Sequence, residues 1–129
     1  SVHVGHDAVI GGNTNVQRGT LSHTVIGPYT QIGGLVEIGH DVKIGRSCKI
    51  VSQTGIAGNV VIDDYVTIYG QCGIVNKVHI GSYAVVKAKS MVTKHVKPGQ
   101  TICGPFGREA GIELRIQAKL NRFLKKGTE

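Results

Sequence analysis

Isoleucine stands at every sixth position from Ile26 to Ile80, at 26, 32, 38, 44, 50, 56, 62, 68, 74 and 80. The phase continues through Val86 and Val92 and is present upstream at Val4, Ile10 and Val16, so about three quarters of the chain is one repeat. A period of six is neither that of a helix nor that of a simple strand, and such repeats are the signature of stacked architectures. The fifth position of each hexad holds only compact side chains: Thr30, Val36, Val42, Cys48, Thr54, Val60, Val66, Cys72, Val78, Ala84, Ser90 and Val96. One large aliphatic and one small inward residue per hexad suit short β-branched strands joined by tight corners. Three hexads make a triangular coil of eighteen residues, and coils stack strand on strand at about 4.8 Å. The expected fold is an all-β parallel β-helix of roughly five coils. Spacing leaves its hand open.

Composition fits a narrow prism. There is no tryptophan, aromatics are few and glycine is abundant at 19 residues. A chain of 129 residues has room for one domain, which excludes a second enzymatic unit within it. No apolar run is long enough to span a bilayer, and the start at Ser1-Val2-His3 lacks signal-peptide features, so the expected setting is cytoplasmic. Cys48 and Cys72 fall at inward positions as compact hydrophobes. With Cys103 they make an odd number, which fits a reducing compartment. The formal charge of +7 asks for an acidic partner. Scattered basic residues with no aromatic stacking platform disfavour nucleic acid; an acidic carrier protein or a nucleotide-sugar diphosphate suits the charge as well.

The hexads themselves, as in Ile38-Gly39-His40-Asp41-Val42-Lys43, resemble those of the hexapeptide-repeat acyltransferases, and this resemblance implies a left-handed helix. The pattern breaks once, between Val16 and Ile26, where ten residues stand in place of twelve. A shortened corner is one expectation, and a corner shaped for something other than stacking is the other. Arg18-Gly19-Thr20-Leu21 with Thr24-Val25-Ile26-Gly27 is similar to a stretch of the N-acyltransferases of lipid A biosynthesis, as are Val36 to Val42, Ser52 to Gly58 and Gly70 to Ile74. Those enzymes move a 3-hydroxyacyl chain from acyl carrier protein to the amine of a UDP-3-O-acyl-glucosamine. Departures stand at Gln17 where the family has Asp, at Gly33-Gly34 where it has an Asp-Asn pair, and at Lys77 where it usually has a second histidine. The family's amino-terminal uridine-binding domain has no counterpart, so the chain reads as a fragment or a shortened relative.

Acyl transfer to an amine needs a base and an oxyanion donor. His40 holds the third position of its hexad beside Asp41, and Gly58 lies eighteen residues on, one coil later. The resemblance makes His40 the general base and Gly58 the oxyanion residue. His6 is the rival: it holds the same hexad position before Asp7 and by phase lies two coils earlier on the same face, so periodicity alone does not choose. His3, His23, His79 and His95 read as solvated. Asp41 orients the imidazole only if the corner turns, since adjacent residues of an extended strand point apart, and this is the weaker expectation. Asn76 and Lys77 fall near the next coil of the His40 column as candidate contacts to acceptor or pantetheine; Met91 is a filler or the floor of an acyl groove.

From Arg108 to Lys126 the period changes. Ile112, Ile116, Leu120, Phe123 and Leu124 mark one helical face, with Arg108, Arg115, Lys119, Arg122, Lys125 and Lys126 largely off it. Residues 1–104 form the expected β-helix and residues 105–129 an amphipathic basic helix packed on the prism or a partner. The resemblance implies a homotrimer with active sites between prisms and helices facing the acidic carrier.

The sequence thus favours an acyltransferase using a phosphopantetheine thioester, from acyl carrier protein or acyl-CoA, with no bound cofactor or metal. A sugar acetyltransferase using acetyl-CoA is the alternative, because residues 85–99 resemble many of those. A non-catalytic scaffold is the alternative of another class. A zinc carbonic anhydrase of the same fold needs two histidines five apart, a spacing not found here.

Overall fold

The computed structural model describes residues 1–104 and 109–128. Fifteen two-residue or three-residue strands from Val2–Val4 to Met91–Val92, with a sixteenth at Thr101–Ile102, build three parallel sheets. Consecutive strands go to successive sheets, so the chain winds as a prism with five complete coils and part of a sixth. The first face carries Val4, Ile26, Ile44, Ile62 and Ile80 in one row. The second carries Ile10, Ile32, Ile50, Ile68, Val86 and Ile102, the third Val16, Ile38, Ile56, Ile74 and Val92. From Ile26 to Val92 these row residues are buried, as are the small fifth-position side chains, Thr30, Thr54 and Ser90 included. In the first coil of the described residues Val4 and Ile10 are exposed. Stacking is what buries the rest.

Each corner is made by the fourth residue of the hexad, which takes a left-handed backbone. Thirteen non-glycine residues do so among those described, Asp7, Tyr29, Leu35, Asp41 and Lys77 among them, with φ between 52° and 66°. That conformation costs an ordinary L-residue about 1–2 kcal/mol. It is offset by a hydrogen bond to the coil before: Asn59 N donates to His40 O at 2.9 Å and Lys77 N to Gly58 O at 3.2 Å.

Two details differ from the sequence reading. The expected short corner after Val16 is an enlarged one. Val4 pairs with Ile26, Ile10 with Ile32 and Val16 with Ile38, each 22 residues apart, whereas Ile44 and Ile62 are 18 apart. Ten residues therefore replace six rather than twelve, and Thr20 to His23 are extra. Both ends of this loop are tied to one acceptor, since Gly19 N and Thr24 N each donate to Ser1 O at 3.1 Å. At the other end, Val96 is not the fifth residue of the Val92 hexad but bridges Ile80 and opens the next coil. A turn two residues short brings it there.

Among the described residues the single helix runs Ala110–Thr128; its expected start at Arg108 lies outside them. The Glu109 carboxylate caps it, accepting from Gly111 N and Ile112 N at 3.0 Å, and these donors hold its carboxyl below the usual range. Ile112, Leu114, Ile116, Leu120, Phe123 and Leu124 are all exposed, so the apolar stripe is not packed on the prism as one of the two expectations had it.

Candidate functional site

His40 and Gly58 meet at the corner between the third and first faces. A β-carbon placed on Gly58 would lie 2.5 Å from His40 Nε2 and within 2.9 Å of two ring carbons, so the imidazole lies against the space that only glycine leaves empty. Gly39 is needed for the same reason, because its β-carbon would come 2.7 Å from Gly58 N. The Gly58 N–H makes no hydrogen bond among the described residues.

Asp41 turns out to hold the ring. Its carboxylate Oδ2 accepts from His40 Nδ1 at 3.0 Å. Neighbouring side chains point apart only on an extended strand, and Asp41 has a φ of 59°, which swings its carboxylate back beside its neighbour. The extra loop surrounds this carboxylate. Thr20 N donates to both oxygens at 3.1 Å, Thr20 Oγ1 to Oδ2 at 2.8 Å and Ser22 N to Oδ1 at 2.8 Å. Asp41 N finds Thr24 Oγ1 at 2.9 Å in place of the carbonyl that serves other corners. The hydrogen bond to His40 first, then those from Thr20, outweigh burial and keep the Asp41 carboxyl far below the usual carboxylate range. An ionised carboxylate only accepts, so in the neutral ring Nδ1 of His40 carries the proton and Nε2, toward Gly58, presents its lone pair.

His6 does not share this face. Val4 belongs to the first row, so His6 stands at the corner between the first and second faces, edge-on to Tyr29 at 5.0 Å. The insertion shifts the count by four, which is why phase alone placed it wrongly. His79 pairs with Asp63 at 2.8 Å and accepts no role at the His40 corner; His3 and His23 stack at 4.4 Å.

Beside His40, the outer surface of the third face is a shallow apolar trough of about 420 Å³ lined by Glu37, Gly55, Ala57, Gly73, Val75 and Met91. Gly55 and Gly73 leave its floor open, with nothing within 4 Å of a β-carbon at either. Glu37, fixed by Asn15 Nδ2 at 2.8 Å and Gln17 Nε2 at 2.9 Å, bounds one end, and Met91, 65% exposed, the other. Met91 is thus no core filler. A second hollow, of about 460 Å³, lies on the second face between Val9 and Ser52; neither hollow has a histidine in its lining, and the third-face trough comes nearest the His40 corner at Ala57, which precedes Gly58. Asn76 stands one coil beyond Gly58 on the His40 corner, and Lys77 is tied to Gly58 through its backbone. The structure brings His40, Gly58 and Asn76 to one edge and sets Met91 on the adjoining face. Thr20, Ser22, Gly55 and Gly73 escaped the sequence reading; the signals were the length of the break and two outward glycines eighteen apart.

Cys48 and Cys72 are buried, and burial pushes both thiols up. They are inert packing residues.

Residues 23–58, which include both His40 and Gly58, match the model of the bacterial transferase hexapeptide (six repeats). Over those residues the chain carries the hexapeptide repeat of that transferase family. Over 127 residues, 98% of its length, it is 37% identical to a UDP-3-O-acylglucosamine N-acyltransferase of Campylobacter curvus, of which it covers 40%. It therefore spans about 40% of the length of that curated relative. Among solved structures, LpxA from Acinetobacter baumannii matches 90% of the chain and 47% of its own at a TM-score of 0.78 and 27% identity. A hexapeptide-repeat acetyltransferase of Vibrio cholerae, complexed with acetyl-coenzyme A, matches 79% of the chain and 66% of its own at 0.70 and 26%. The hexapeptide-repeat prism has the left-handed β-helix fold of the LpxA-like proteins.

Proposed function

We propose that this chain carries the acyl-transfer site of a UDP-amino-sugar N-acyltransferase, taking its acyl group from a phosphopantetheine thioester. The observation that carries the reading is the His40–Gly58 corner: a base with a fixed tautomer, an unpaired backbone N–H one coil on, and an apolar trough alongside. The trough takes the acyl chain and sets the thioester carbonyl near Gly58. As the acceptor amine attacks that carbonyl, His40 Nε2 removes its proton and Gly58 N–H donates to the oxyanion. Collapse of the tetrahedral intermediate forms the amide and breaks the carbon–sulfur bond. The thiolate leaves and takes the proton from His40.

Asn76 and Lys77 face the route by which acceptor or pantetheine would approach. The exposed helix stripe suits packing among three copies, and its Arg115, Lys119, Arg122, Lys125 and Lys126 suit an acidic carrier protein. Three unpaired cysteines fit a cytoplasmic enzyme. No helix among the described residues is long and apolar enough to cross a membrane. A second reading, acetyl transfer from acetyl-coenzyme A, is favoured by the likeness to the Vibrio cholerae acetyltransferase. Thiol release measured with acyl carrier protein and coenzyme A thioesters, against a panel of UDP-amino sugars, separates the two. Activity with the carrier-protein thioester is expected; transfer from acetyl-coenzyme A alone would select the second reading, and no transfer from either would reject both.

A further inference from the structure

We propose that the four inserted residues Thr20 to His23 are a positioning device for His40 that works through Asp41, with the Thr20 hydroxyl as its controlling group. The kinetic half of this inference rests on the acyltransferase reading; the geometric half does not. The insertion has no stacking purpose, because the coils below and above keep their register across it. Its polar groups converge on one carboxylate instead. Thr20 and Ser22 supply three donor groups to Asp41, and Thr20 Oγ1 reaches the same oxygen, Oδ2, that accepts from His40 Nδ1. Hydrogen bonds to an ionised acceptor are among the stronger ones, and Asp41, with only 5% of its side chain exposed, has little water to turn toward. The carboxylate cannot rotate without giving up several donors, so the lone pair that meets Nδ1 is fixed in direction. The imidazole plane and its tautomer are fixed with it.

The molecule contains its own control. His6 and Asp7 make the same Nδ1 to Oδ2 contact at 3.0 Å, at the same hexad positions, and Asp7 has the same left-handed backbone. No loop overlies them. Both side chains are about two-thirds exposed, and the Asp7 carboxylate has no other hydrogen-bond donor among the described residues. What distinguishes His40 is therefore the insertion and not the His-Asp pair.

The test is nitrogen-15 NMR of the imidazoles in the full 129-residue chain at a pH where they are neutral, for wild type, Thr20→Val and Thr20→Ser, beside steady-state kinetics. Wild-type His40 is expected to hold its proton on Nδ1. Thr20→Val should move a measurable fraction to the Nε2 tautomer and lower kcat about tenfold with KM for both substrates unchanged. Thr20→Ser, which keeps the donor, should restore both, and the His6 signals should be the same in all three. Thr20→Ala removes the same hydroxyl without new bulk and replaces Thr20→Val if that variant does not fold. A folded hydroxyl-less variant whose His40 tautomer matches wild type overturns the inference. A tautomer shift in a chain that transfers no acyl group from any thioester upholds the positioning and rejects the acyltransferase reading.

Discussion

Two corners of this prism carry the same dipeptide in the same hexad register and differ in everything around it. At His6-Asp7 the pair stands in water, and the residue in line on the next coil is Pro28. At His40-Asp41 the carboxylate is enclosed by an extra loop, and the residue in line is Gly58, whose missing side chain the ring occupies. A histidine beside a carboxylate is thus no sign of catalysis in itself. What sets the His40 corner apart is a carboxylate that cannot turn and a neighbouring coil whose glycine N–H makes no hydrogen bond among the described residues.

The contrast is easiest to break at the base. His40→Ala should lower kcat by roughly 10²–10⁴-fold, the range for a positioned general base, while His6→Ala leaves turnover unchanged. Steady-state assays on the two variants decide it, and equal effects would abolish the distinction. Asp41→Asn comes next, with an expected loss of about 10²–10³-fold, because an amide turned to donate toward Nδ1 forces the proton onto Nε2. Asp7→Asn should have no such effect. Gly58→Ala makes the His40 corner more like the other; its β-carbon displaces the ring, and kcat should fall by about 10²-fold without loss of fold, read by kinetics and circular dichroism together. Gly73→Leu fills the trough rather than the corner. It should reduce transfer of long acyl chains several-fold and spare acetyl transfer, as competition between two thioesters would show.

The smallest effect is on stability. The folded pKa of Asp41 lies below its unfolded value of about 3.9, so its contribution is present in full above that pH and is lost as pH falls through the folded value. The difference in Tm between wild type and Asp41→Asn should therefore be constant from neutral pH down to about 4 and shrink in more acid solution. The corresponding difference for Asp7→Asn should be small throughout.

The prism was legible because its constraint is local and repeated. Ile62 and Val66 are inward for the same reason as Ile44 and Cys48, and each coil restates the rule. The corner chemistry was less so. A gap of ten residues is compatible with two too few or four too many, and both leave every later isoleucine in phase; the strand pairing of Val4 with Ile26 decides between them. From that one ambiguity came the misplacement of His6 and the silence about Thr20 and Ser22. Asp41 was misjudged by applying strand alternation to a residue with positive φ. That His40 and Gly58 lie side by side was legible because a spacing of eighteen survives in any coil that lies wholly beyond the insertion; the choice of His40 over His6 came from the resemblance. Val96 was read as a fifth-position residue because it stands four residues after Val92; the signal of the shortened turn was Pro98, where the next aliphatic of the phase would fall.

The loop at Thr20 leaves and re-enters the prism at nearly the same point, since Gly19 and Thr24 share one carbonyl acceptor. A loop closed at its base can grow or shrink at an entropic cost that rises only with the logarithm of its length, and the walls above and below need not respond. Reshaping the surroundings of the base is therefore separable from building the column on which it stands. In a solenoid whose wall residues answer to their neighbours one coil away, this is the segment where variation is cheapest and reaches the Asp41 carboxylate and the His40 ring most directly.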